Sequence, residues 1–202
     1  MERRFVVELN TMAGQKKKML LHMCCAPCAV YVVEQLREEY DVTGFFYNPN
    51  IQPKKEYDFR VVEVKKISER LGWDVIVGDY DMTEWFAAVK GLEHEPERGK
   101  RCSVCFRMRL RKTFELARDR GFDIVTSTLS ISPYKATKQI NAEGEALSKE
   151  FGIEFLPENF KKQNGFNIGK KMAMDLGIQH QNYCGCVFSK VEKILRERRK
   201  TT

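Results

Sequence analysis

Short apolar runs and helix-period patterns alternate along this chain. KMLLHMC (18–24) is a strand-length apolar run, and from Pro27 the residues Val30, Val33 and Leu36 recur at helical spacing. VTGFFYN (42–48) predicts a second strand, with a helix marked by Val61, Val64, Ile67 and Leu71 after it. WDVIVGDY (73–80) predicts a third strand and MTEWFAAVKGL (82–92) a short helix, followed by the charged loop EHEPERGKR (93–101). From Cys105 onward, Phe106, Leu110, Phe114 and Ala117 form one helical stripe that Gly121 stops. FDIVTSTLS (122–130) is the fourth strand, PYKATKQINAEGEALSKEF (133–151) a helix opened by Pro133, and IEFLPEN (153–159) the fifth strand. Ile168, Met172 and Leu176 mark a further helix, and Val187, Val191 and Leu195 the last.

Strands alternating with helices of this length imply βαβ units. The expected fold is α/β, a single doubly wound parallel sheet covered on both faces. In such sheets ligands bind beyond the carboxyl ends of the strands, where the chain order reverses. Cys24 and Cys25, Asn48, Asp79 and Asp81, and the SPYK segment (132–135) all follow predicted strands and converge on that edge. No linker or repeat divides the 202 residues; 1–16 read as an N-terminal extension, and 17–202 as one domain ending in a basic helix.

Three lysines before the apolar run at 19–33 resemble the start of a secretion signal. His22 and Pro27 interrupt the run, however, and no small-residue cleavage pattern follows. No segment approaches the roughly 20 apolar residues of a membrane span. The expectation is an intracellular, cytoplasmic protein that does not engage a membrane. That changes the meaning of its seven cysteines, because in a reducing compartment doublets and short spacings point to metal or redox chemistry.

Cys102 and Cys105 form a C-x-x-C at the opening of a helix; with Cys24 and Cys25 from the same sheet edge they supply four thiolates, enough for tetrahedral zinc or a [4Fe-4S] cluster. Adjacent cysteines in a strand point to opposite faces, so sharing one site requires the strand to have ended, which Pro27 favours. Cys184 and Cys186 flank one glycine and read as a redox-active pair or as ligands of a second metal. Cys28, in a first helical turn, reads as a small buried hydrophobe, and His22 as a satisfied core residue. Asp79 and Asp81 either cap the following helix or complete a hard metal position. Tyr134 and Lys135 suit proton donation and anion neutralisation, although a surface turn would also explain them.

A formal net charge of +7 and a pI near 9.0 favour a polyanionic partner. The runs RMRLRK (107–112), with Arg107, Arg109 and Arg111, and RERRK (196–200) are either solvated helix faces or nucleic-acid contacts.

With CC ending the first strand, a central RCSVC, SPYK after the fourth strand and a late YCGC, the sequence resembles the cobalamin-independent epoxyqueuosine reductases of the QueH family from about residue 17 to about 192. The resemblance implies a fold similar to PP-loop nucleotide-binding proteins and the reduction of epoxyqueuosine to queuosine in the tRNA anticodon. It implies that Cys24, Cys25, Cys102 and Cys105 ligate a [4Fe-4S] cluster, and that Cys184 and Cys186 form a redox pair or hold a nearby iron. On the reading of the residues themselves, Asp79 or Asp81 could add ligands to that iron, Tyr134 is a catalytic candidate, and Lys135, Arg107, Arg109 and Arg111 are candidate tRNA contacts; an external electron donor would be required. Two other readings compete: a PP-loop enzyme of tRNA sulfur transfer, which should carry a Ser/Gly-rich pyrophosphate loop where CCAPC stands, and a zinc-stabilised RNA-binding module without catalysis.

Overall fold

The computed structural model describes residues 16–199, so the expected extension lies outside the described residues except for Lys16. Five parallel strands, β1 (Lys17–His22), β2 (Tyr40–Phe46), β3 (Val75–Val77), β4 (Ile124–Ser127) and β5 (Glu154–Phe155), lie in the order β3-β2-β1-β4-β5. This is the expected doubly wound sheet, with β1 at its centre and the chain reversing direction between β1 and β4. Burial on both faces explains why β1 reads as a continuous apolar run, with Met19, Leu20 and Leu21 fully buried.

Among the described residues seven α-helices connect and cover the sheet: α1 (Ala26–Leu36), α2 (Lys54–Leu71), α3 (Met82–Ala88), α4 (Lys100–Arg120), α5 (Thr137–Phe151), α6 (Gly165–Asp175) and α7 (Val187–Arg198). The α4 stripe of Phe106, Leu110, Phe114 and Ala117 is buried, and Gly121 ends the helix in a left-handed conformation. Two expectations are corrected. Helix α5 begins at Thr137 rather than Pro133, because the carbonyls of Pro133 and Tyr134, which a helix would use internally, instead accept hydrogen bonds from the Arg98 guanidinium. The Val187, Val191 and Leu195 stripe does mark α7, yet it faces solvent; Ser189 is the residue that α7 buries.

The main core gathers around β1, α1, β2 and α4, while Trp85, Val89, Cys105 and Cys186 form a small second cluster. Among the described residues no helix is long and apolar enough to cross a membrane.

Candidate metal centre

All seven cysteines lie at the carboxyl edge of the sheet, in two groups. Strand β1 ends at His22, and Cys24 and Cys25 fall in the turn before α1, of which Cys25 is the N-cap. Freed from strand alternation, their sulfurs stand 3.7 Å apart. Pro27 sits in the first helical turn, and one position further Cys28 turns its thiol back to the same spot, so that the three sulfur atoms lie within 4.8 Å of one another. The spacing i, i+3 from the cap brings Cys28 onto the face that Cys25 begins. Reading Cys28 as an isolated buried hydrophobe is therefore corrected: it is buried, but as the third member of a thiol group.

The second group comes from two chain segments. Cys102 and Cys105 lie in the opening turns of α4, and Cys184 and Cys186 in the loop before α7, 3.4 Å apart. These four line one cavity with Trp85 and Arg109. Gly185 makes the loop possible: its φ is +107°, and a Cβ there would stand 2.8 Å from Ile51 Cγ1 and 3.1 Å from Arg60 Nη1. An adjoining cavity is lined by Cys24, Cys25 and Cys28, and the two share Cys184, Lys135, Tyr134 and Glu97.

Each group contains one readily ionised thiol. Hydrogen bonds from Cys25 and Cys28 hold Cys24 well below the usual thiol range, with Lys135 and Arg109 adding to the effect against the cost of burial. As the donor to Cys24, Cys25 is pushed up to about 12, and Cys28 is raised for the same reason. Across the cleft a hydrogen bond from Cys186 depresses Cys184, again helped by Lys135, and correspondingly raises Cys186. Burial pushes Cys102 up to about 11. Lys135 is the shared counterion: burial lowers its pKa, but the cysteines, Cys24 and Cys184 first, more than offset that, so the ammonium stays charged.

Unsatisfied groups indicate what this site is built to receive. Arg109 is 2% exposed and its guanidinium donates to Asn48 Oδ1; its Nε has no partner, and among the described residues no carboxylate lies within ion-pair distance. Trp85 Nε1 is likewise buried without an acceptor in the same cavity, as is one acceptor, Asn50 Oδ1. A buried guanidinium without a carboxylate is costly unless another anion stands beside it. Thiolates, or an anionic cluster with sulfur acceptors held by them, supply both the charge and the lone pairs. The donor set fits a thiolate-ligated iron–sulfur group.

Residues 19–192, most of the chain, match the family model described as Epoxyqueuosine reductase QueH. The chain belongs to this family. Relatives named epoxyqueuosine reductase QueH include one from Streptococcus pyogenes serotype M1, 41% identical over 86% of this chain and 71% of its own length, and one from Thermotoga maritima, 38% identical over 87% and 91%. Two solved structures share the fold. A predicted tRNA methyltransferase subunit from Methanocaldococcus jannaschii matches with TM-score 0.52 and 13% identity over 76% of each chain. The U34-tRNA thiolase NcsA from Methanococcus maripaludis, a structure with its [4Fe-4S] cluster, matches with TM-score 0.54 and 12% identity over 87% of this chain and 62% of its own.

Within this QueH chain the other sequence candidates separate. His22 is a satisfied core residue, bonded to Ser127 Oγ (2.8 Å) and Tyr47 O (3.2 Å), and burial lowers its pKa to about 3, so it is neutral. Asp81 caps α3 through the amides of Thr83 and Glu84, and exposed Asp79 lines a different depression with Lys112 and Glu115. Neither lines the cysteine cavities. The carboxyl group that does is Glu97, whose pKa is raised by burial and then by Cys184; in the sequence it was hidden in a charged loop with no periodic signal. Lys135, partly buried, lines both cysteine cavities, while Tyr134 is 45% exposed. Arg107, Arg109 and Arg111 do not share a face, because residues two apart on a helix point in nearly opposite directions. Arg109 is buried at the cavity, whereas Arg107 pairs with Glu143 and Glu150, and Arg111 with Glu150.

Proposed function

We propose that this chain reduces epoxyqueuosine to queuosine in tRNA, in the cytoplasm, with a [4Fe-4S] cluster held by Cys24 and Cys25 from one side of the cleft and by Cys102 and Cys105 from the other. The observation that carries the reading is the pair of thiol groups facing a common cation, Lys135, at the point where the doubly wound sheet reverses. The bound cluster would supply electrons one at a time from an external reductant. Removing the epoxide oxygen takes two electrons and two protons: both C–O bonds break, a carbon–carbon double bond forms, and the oxygen leaves as water. Cys184 and Cys186 would enter either as a dithiol, which supplies both electrons and both protons on closing to a disulfide and is then re-reduced by two single electrons through the cluster, or as ligands of an additional iron.

The chain's own groups supply the rest. Half-buried Glu97, its pKa raised by burial and by Cys184, is the candidate proton donor on the cavity wall, and the Lys135 ammonium offsets negative charge developing between the thiol groups. Cys25 caps α1 in the β1–α1 turn, where a pyrophosphate-binding loop would need small residues and free amides, which argues against sulfur transfer driven by ATP.

One observation favours a second assignment of ligands within the same function. Cys102, Cys105, Cys184 and Cys186 share a cavity and number four, enough for a cluster by themselves, which would leave Cys24, Cys25 and Cys28 for a single iron. Purification without oxygen, with iron and sulfide analysis and turnover of epoxyqueuosine-containing tRNA under a chemical reductant, tests the function. We expect a brown protein with acid-labile sulfide that forms queuosine. A colourless zinc protein that leaves the substrate intact would overturn the reading.

A further inference from the structure

While Lys135 lines both cysteine cavities, the Pro133–Lys135 turn faces outward and gathers cations from three distant parts of the chain. Arg98, ahead of α4, donates from Nη2 to Pro133 O (2.7 Å) and from Nε to Tyr134 O (3.1 Å). Lys161, between β5 and α6, donates from Nζ to Lys135 O (3.1 Å). Arg196 of α7 lies over the Tyr134 ring, with Cζ 6.0 Å from its centroid. None of the three forms an ion pair among the described residues, although Glu97 acts on Arg196 at longer range.

This distinguishes them from Arg107 and Arg111, whose charge Glu143 and Glu150 already neutralise. A guanidinium resting on neutral carbonyls keeps its full charge, and Arg98 uses two of its five donors in this way. Arg98 also holds a left-handed φ of 71°, a conformation unfavourable for a side chain with a Cβ and one that its two anchoring bonds help to maintain. Tyr134 and Arg196 line the cavity of Cys24, Cys25 and Cys28, and Arg98 that of Cys102 and Cys105, so the group sits at the mouth of the cleft.

We propose that Arg98, Lys161 and Arg196 form a phosphate-binding rim that grips the RNA backbone on either side of the nucleotide entering the cleft, with exposed Tyr134 as a stacking platform for a neighbouring base. The proposal rests on the reading that tRNA is the substrate. It moves the RNA contact from the α4 surface to the entrance of the metal centre.

The test measures the affinity of the anaerobic holoprotein for epoxyqueuosine-containing tRNA across a series of salt concentrations. Combining Arg98→Gly, which also relaxes the left-handed backbone, with Lys161→Gln and Arg196→Gln should lessen the slope of log affinity against log salt by about 2, at about 0.7 per lost single-strand phosphate contact. Arg107→Gln with Arg111→Gln should leave the slope unchanged. Tyr134→Leu should weaken binding about fivefold or more at every salt concentration with the slope intact. Melting curves matching the parent's establish that the exposed-site variants are folded. A rim variant with the parental slope, or an α4 variant that flattens it, overturns the rim while leaving the function standing. Failure of the parent to bind or convert the tRNA would instead overturn the function.

Discussion

The two sides of the cleft are held in place by different forces. Cys24, Cys25 and Cys28 follow the central strand, which pairs with β2 and β4, and they belong to the main core; Asn48 Nδ2 donates to Met23 O (2.9 Å) and Cys24 N to Thr128 Oγ1 (3.1 Å). The Cys184–Cys186 loop and α7 have little apolar anchoring. What fixes them is polar: Gln52 N donates to Gly185 O (2.9 Å), Val187 N to Gln52 Oε1 (3.1 Å) and Arg60 Nη1 to Cys184 O (3.2 Å). Arg101, its side chain 3% exposed, donates to the carbonyls of Leu92, Glu93 and Glu95 and pairs with Glu192 of α7 at 3.1 Å. One side is thus set by sheet topology and hydrophobic burial. The other hangs on a few bonds that single substitutions can remove, so it is the adjustable half of the site.

Exchanging the two sides' cysteines gives the largest expected effect. Serine at Cys24, Cys25, Cys102 or Cys105 should each remove most of the iron and sulfide, while serine at both Cys184 and Cys186 should leave the cluster spectrum intact and abolish turnover. Should the Cys184/Cys186 variant lose its iron while the Cys24 variant keeps its cluster, the ligand set belongs to the second assignment.

Arg101→Met comes next. Breaking an ion pair that is buried only on the arginine side and orphaning three carbonyls should cost about 1–3 kcal/mol. Hydrogen exchange should locate that loss: amides of α7 should exchange faster, while those of β1 keep their protection. Equal acceleration in both elements would show that the two sides are not independently held.

Gly185→Ala should cost about 1–3 kcal/mol, from the strained φ and from contact with Ile51 and Arg60. Because the distortion falls between Cys184 and Cys186, turnover should drop while iron content stays near that of the parent. Iron loss in proportion to turnover would make this loop part of the cluster's own cradle.

The smallest effect is expected of Trp85→Phe, which removes one N–H and little volume. Without metal, deleting a buried, unpartnered donor should leave the melting temperature unchanged or slightly raised, since such groups cost about 1–3 kcal/mol. With the cluster bound, loss of a hydrogen bond to sulfur should lower its reduction potential, measured by a spectroscopically monitored redox titration. An unshifted potential would mean that the indole does not face the cluster.

Nearly all of the local architecture was legible in the sequence, because it is written by neighbouring residues. Continuous apolar runs announced buried parallel strands, the Phe106–Ala117 stripe and Gly121 bounded α4, and Asp81 preceded its helix as a cap. The spacing of the cysteines pointed to ligation, and the alternation of elements put them at one sheet edge. The split of Arg107, Arg109 and Arg111 was also open to a stricter reading of helix geometry, since an i, i+2 pair cannot share a face.

Only the tertiary structure decided which thiols meet. Cys102 and Cys184 are 82 positions apart and share a cavity, an outcome that depends on where α4 and the α6–α7 loop cross the sheet edge and on no local pattern. For the same reason Glu97 emerged from an unremarkable charged loop, and the solvent-facing stripe of α7 looked like any buried one; the place of Cys28 beside Cys25, by contrast, was open to an i, i+3 reading of the helix start. Whether Lys135 faced outward or into the cleft was settled by where the Pro133–Lys135 turn lies in the fold, which puts this lysine on the lining of both cysteine cavities.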